Sequence, residues 1–132
     1  MNLDEITRLL QITLRGFNIH DRFIEELASI LRSSGIERSF FKKLEFCLRF
    51  LSLYGAQAVQ HEEFESIGNG IFSMHVDGKG YNVRILYGFL HDQSPALLLA
   101  FFERSGKRKT DYQSHIDPAA SRLERMEACY GS

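Results

Sequence analysis

At Ile71 the hydrophobic period of this chain changes from 3.6 residues to 2, and that switch limits the folds open to it. Before the switch, apolar residues recur at helical spacing. Residues 3–15 carry them at 3, 6, 9, 10 and 14, which fits a short amphipathic helix, while the β-branched content of LQITLRGF leaves a strand open. Asp21 is placed to cap a second helix over about 21–33, with Ser33-Ser34-Gly35 ending it. A third helix over 37–54 is the most apolar segment. Phe40, Leu44, Cys47, Leu48 and Leu51 form one stripe, and Phe41, Phe46, Phe50 and Leu53 cover much of the remainder. Such a helix is expected to be sandwiched between a sheet and another helix. Gly55 ends it, and 56–68 reads as a loop.

After the switch, Ile71–Val76, Tyr81–Leu90 and Ala96–Arg104 alternate as strands. Asp77-Gly78-Lys79-Gly80 joins the first two as a hairpin, and a short connection joins the last two, which predicts an antiparallel meander. Asp117-Pro118 reads as a helix start, an acid at the cap and Pro in the first turn, opening a last helix over about 118–128. The expectation is an α+β domain over 1–132, one layer of helix on a three-stranded sheet. Residues 1–20 stand as a possible N-terminal extension.

No apolar run reaches the roughly 18–20 residues of a membrane span, and MNLDEITRLL lacks the basic-then-apolar order of a signal peptide. Cys47 and Cys129 match no metal motif, and Cys47 fits a buried reduced thiol. A cytoplasmic location is expected. The net charge of −1 argues against broad non-specific binding to nucleic acid. The charge is uneven, however. Residues 1–78 hold 8 Lys/Arg against 11 Asp/Glu, whereas 79–112 hold 6 against 3.

That basic section contains the residues best suited to chemistry. Arg84 stands mid-strand in YNVRILY, on the face opposite Tyr81, Val83, Ile85 and Tyr87. Its fork suits phosphate oxygens, and equally an ion pair with Glu103 or another carboxylate. Arg104 shares a strand face with Leu98, Ala100 and Phe102, so an obvious register would line it up with Arg84. Lys107, Arg108 and Lys109 follow Gly106, where backbone amides and side chains together can wrap an anion. Tyr112 among cations can stack on a base, donate a proton, or simply pack at a sheet edge. His75 alternates with Ser73 and Ile71 and is a candidate base near Arg84. No HxxxH pair, phosphate-loop motif or GxSxG elbow occurs, so neither a metal site nor a serine nucleophile is supported.

In order and spacing, residues 54–126 resemble type II toxins of the RelE/HigB superfamily, in its phage-derived HigB-like branch. The matching stretches are VRILYGF and AFFERSGKRKT, with DRFIEEL similar to a helix of that family. The resemblance implies a RelE-like fold with N-terminal helices on a small antiparallel meander and a C-terminal helix. It implies a toxin that cuts mRNA, generally on the ribosome, with no metal or cofactor. A cognate helix-turn-helix antitoxin would hold it in a hetero-oligomer. By that resemblance Arg84 holds the scissile phosphate. Arg104, Lys107 and Lys109 stabilise its charge, and Tyr112 stacks or donates a proton. Beside that carry-over, Lys79, Arg108 and His75 are expected to bind RNA. A near-neutral chain with a long helical N-terminal section leaves another reading open. This is a non-catalytic protein-binding member of the fold, such as the ParE-like gyrase inhibitors.

Overall fold

The computed structural model describes residues 1–130 apart from Ser33, Ser105 and Lys107, with Arg108, Lys109, Thr110 and Tyr130 described through their backbone only. The elements run α1 (Leu3–Thr13), β1 (Asn18–Ile19), α2 (Phe23–Leu31), α3 (Glu37–Tyr54), a 3-10 turn (Gly55–Gln60), β2 (Phe64–Gly68), β3 (Ile71–Gly78), β4 (Tyr81–Phe89), β5 (Pro95–Phe102) and α4 (Arg108–Tyr130). The class is α+β, and the five strands form one mixed sheet in the order β1-β5-β4-β3-β2. The β2–β5 run is antiparallel, and β1 lies parallel to β5. No helix among the described residues is long and apolar enough to cross a membrane.

The helices begin and end where local chemistry allows. Asn2 accepts from the Glu5 amide at 2.9 Å while Glu5 accepts from the Asn2 amide, a reciprocal cap for α1. The α2 cap position is Arg22, not Asp21, and no side chain caps it. The helix of 37–54 has the predicted bounds and ends at Gly55, whose φ of +52° a side chain would resist. Lys79 and Gly80 form the two-residue link between β3 and β4, with Gly80 at φ +86°.

Several expectations fail, for identifiable reasons. The stretch 56–68 is not a loop: it holds the 3-10 turn and the edge strand β2. Asn18–Ile19 joins the sheet as β1, and Ile6, Leu10 and Leu14 are fully or almost fully buried, so α1 and β1 pack with the rest of the domain. The three-stranded antiparallel meander is therefore the centre of a larger mixed sheet. The last helix starts ten residues earlier than Asp117-Pro118 suggests, and Pro118 lies inside it. Helix covers the sheet on both faces, which makes three layers instead of two.

Alternation along the strands divides the core between those faces. One face presents Met74, Val76, Val83, Ile85, Tyr87, Leu97 and Ala100 to the side chains of α1, α2 and α3. The other presents Ile71, Leu86, Leu90, Leu98, Leu99 and Phe101 to Tyr112, Ala119 and Met126 of α4. Gly88 lets α4 come close, because a Cβ there would sit 2.8 Å from Leu123 Cδ2. Between Leu86 and Tyr87 the register slips by one, leaving Leu98 as the extra residue of β5.

Tyr87 is fully buried, and among the described residues its hydroxyl has no hydrogen-bond partner. Burial raises the phenol's pKa well above its usual range. Tyr87→Phe removes that stranded group and keeps the ring packing on Phe72 and Phe64. It is expected to stabilise the fold by about 1 kcal/mol in urea denaturation.

Candidate functional site

The β3–β4 ladder sets His75 directly opposite Arg84, and β4–β5 sets Phe101 on the other side of Arg84. Alternation turns Ser73, His75, Asp77, Arg84 and Phe101 toward the α4 face. Near the start of α4, Tyr112 packs edge-on against Phe101 at 5.7 Å. Its hydroxyl hydrogen-bonds Ser73 Oγ at 2.8 Å and His75 Nε2 at 3.3 Å. The same Nε2 lies 2.9 Å from Glu65 Oε1, supplied by β2. The strands and α4 thus gather an acid, an imidazole, a phenol and a hydroxyl around one ring nitrogen.

Arg84 is a neighbour of this group and is itself paired with two carboxylates. Its side chain is 7% exposed, and its Nε donates to Glu103 at 3.0 Å and its Nη1 to Asp77 at 3.2 Å. A buried guanidinium needs such partners. The carboxylate-pair reading is therefore the observed one. Lys43, from α3, adds a weaker tie to Asp77 at 3.9 Å and pairs with Glu63 at 3.2 Å.

Arg104 does not share a face with Arg84. Register pairs Arg84 with Phe101, so that face continues to Glu103, and Arg104 lies beyond the end of β5. Instead Arg104 clasps Asp111, donating from its backbone amide at 2.8 Å, Nε at 2.9 Å and Nη2 at 2.6 Å. The Arg104 side chain is 62% exposed and the Asp111 side chain 4%. Lys79 is exposed at the hairpin tip. Lys107 lies outside the described residues, as do the side chains of Arg108 and Lys109, so the cationic-loop expectation falls there.

The Arg104 guanidinium, then its backbone amide, hold the Asp111 carboxyl below its ordinary value of 3.8. A carboxyl pKa depressed by folding stabilises the fold above the unfolded pKa, and that stability is lost as pH falls through the folded value. Asp111→Asn is expected to lower the melting temperature at pH 7. It should also flatten the loss of stability below about pH 4. Thermal melts across pH check both.

Among the described residues, no three His, Cys, Asp or Glu side chains group as a metal site requires. Cys47 is fully buried, and burial pushes its thiol up to about 12, which leaves it protonated and unreactive. Sequence reading brought His75, Arg84 and Tyr112 forward and missed Glu65 and Ser73. A signal for Glu65 does exist. Gly68-Asn69-Gly70 is turn chemistry, and a hairpin folded there brings 65 opposite 73, two residues from His75. Comparison with models of protein families, with curated proteins and with solved structures gives no match to this chain.

Proposed function

We propose that the chain is a metal-independent endoribonuclease, the toxin of a toxin–antitoxin pair, with Glu65 and His75 performing its acid–base work. The observation that supports this reading is His75 Nε2, in hydrogen-bond contact with both Glu65 and Tyr112 and directly across the ladder from Arg84. Cleavage of RNA by its own 2′-hydroxyl needs a base at O2′ and an acid at O5′. Glu65, with a third of its side chain exposed, takes the O2′ proton. O2′ then attacks phosphorus, the bond to O5′ breaks, and His75 gives O5′ a proton, leaving a 2′,3′-cyclic phosphate and a 5′-hydroxyl. Nε2 holds one proton at most. Protonated, it donates to Glu65; deprotonated, it accepts from Tyr112, so the nitrogen can relay a proton between steps.

Arg84 then has a different task from the one the resemblance implies. With its fork on Asp77 and Glu103, it balances their charge beside His75, which the ladder sets opposite it. Charge on the phosphate falls to Lys79 and the cations of 104–109. Ribosome-bound mRNA is the substrate, and a helix-turn-helix antitoxin is the partner, in the cytoplasm. The test is induction in cells with mapping of new RNA 5′ ends. New 5′-hydroxyl ends and growth arrest are expected. A chain that produces neither is not this enzyme.

One observation favours a second reading, a non-catalytic protein-binding member such as a gyrase inhibitor. The Arg84 side chain is 7% exposed and already pairs with two carboxylates, which sets it back from an incoming phosphate. Growth arrest that persists in His75→Ala, together with inhibited gyrase, would select it.

A further inference from the structure

The sheet is only partly covered along β5. The strand β1 pairs with Ala96 and Leu97 alone, and where it ends the His20 amide donates to Leu97 O at 2.9 Å. Arg122 of α4 fills the next place: its Nη1 donates to Leu98 O at 2.8 Å, and the same guanidinium holds Glu26 of α2. Beyond that point β5 is an edge strand. The Glu103 amide donates to Asn82 O at 2.8 Å, and Phe101 pairs with Arg84. Alternation in an antiparallel ladder then turns the N–H and C=O of Ala100 and Phe102 away from β4, to the open side. Among the described residues no hydrogen bond reaches those outward groups. Ala100 is only 7% exposed, and backbone polar groups so little open to water ordinarily have a partner. The edge segment 98–102 reads LLAFF, without the charge or Pro that commonly keeps an edge from pairing. Glu26, Ser29 and Ile30 of α2 stand beside Ala100 and Phe101, and a groove of about 440 Å³ lies between helix and strand. A helix flanking an open strand edge is the geometry in which an extended peptide adds to a sheet.

We propose that the β5 edge from Ala100 to Phe102 binds an extended, uncharged segment of another protein by strand addition. The unpaired groups select that occupant. They need a donor and an acceptor in alternation at the spacing of a strand, which a polypeptide backbone in β conformation supplies. Phosphate oxygens only accept, so a nucleic-acid backbone does not match the edge. Charge beside the groove is already balanced, Arg22 by Glu25 at 3.2 Å and Arg122 by Glu26, which favours a segment without net charge. Phe102, 45% exposed, and half-buried Ile30 offer apolar contact to its side chains. The edge is separated from the strand of His75 by β4, and the proposal does not depend on the catalytic reading.

Amide hydrogen exchange by NMR, combined with peptide selection, tests this on the full chain. In the free chain the Ala100 and Phe102 amides are expected to exchange faster than those of Leu99 and Phe101, which bond to β4. Peptides selected from a random library displayed on phage, once synthesised, should slow exchange at Ala100 and Phe102. Phe102→Pro should weaken those peptides about tenfold beyond Phe102→Ala. Both variants lose the ring, but only proline lacks the outward N–H, which no ladder bond uses. If Phe102→Pro fails to fold by circular dichroism, the exchange pattern of the wild-type chain decides. Ala100 and Phe102 amides already protected in the free chain overturn the proposal, since the chain or a second copy then covers the edge. A selection that yields no peptide above background overturns it, as do peptides that protect other amides instead, or that bind Phe102→Pro as tightly as Phe102→Ala.

Discussion

Arg84→Ala is expected to destabilise the fold by about 3 kcal/mol in urea denaturation, more than a typical surface substitution can. The loss arises from what stays behind. Asp77 and Glu103 keep their charges, and the Glu103 side chain is only 12% exposed. Breaking a buried pair by deleting one partner strands the other, which costs about 3–5 kcal/mol. Asp77 is a third exposed and reaches water, which places the loss at the lower end. Arg84→Lys should recover only part of it, because one ammonium cannot reproduce two donors fixed in a plane. Arg84→Met combined with Asp77→Asn and Glu103→Gln should recover more, since no charge is then left unpaired. If Arg84→Ala instead unfolds within about 0.5 kcal/mol of wild type and loses RNA cleavage, Arg84 is a substrate-holding group and the ion pairs are incidental.

The same pairs show where the sequence is easy to read and where it is not. The helix at 37–54 is legible because its apolar stripe is long and Gly55 stops it. The central strands are legible because alternation persists from Ile71 to Phe89 and a turn sequence divides it. That alternation also assigns His75 and Arg84 to one face without any coordinates. Elements below the length of a period leave no such trace. Asn18–Ile19 is two residues long, and its strand character comes from the pairing with Ala96 and Leu97. β2 is FESIG, where Phe64 is buried and Glu65 reaches across to His75, so its polar residues resemble those of a loop. The first ten residues of α4 are mainly polar. Tyr112 seated on the sheet and Asp111 clasped by Arg104 anchor them, and both are tertiary contacts. Asp117-Pro118 satisfied a local rule for a helix start, yet the helix was already under way. Arg104 misled through register: the extra residue at Leu98 and the end of β5 at Phe102 carry it away from the face of Arg84.

His75→Ala is expected to lower RNA cleavage by about 10²- to 10⁴-fold, the range in which a positioned acid or base acts. The fold should survive it, because His75 is at the water-facing margin of its group, 15% exposed, beside Glu65 at 32%. Glu65→Gln keeps the shape and removes the base, so its loss should be of similar size. The informative measurement is the double variant. If the two side chains work on one proton path, Glu65→Gln with His75→Ala should be little worse than either alone, since residues acting as a unit lose their effect together. Independent roles would multiply the losses. Tyr112→Phe should fall between these and wild type, because the phenol contacts Nε2 at 3.3 Å, farther than Glu65 at 2.9 Å, and the ring would keep its place against Phe101. Cleavage at the wild-type rate by His75→Ala, measured as new 5′-hydroxyl ends with the fold verified, would remove the imidazole from the mechanism. Ser73, Tyr112 and Glu65 would then be a half-buried polar network joining α4 to the sheet, and the protein-binding reading would account better for the fold.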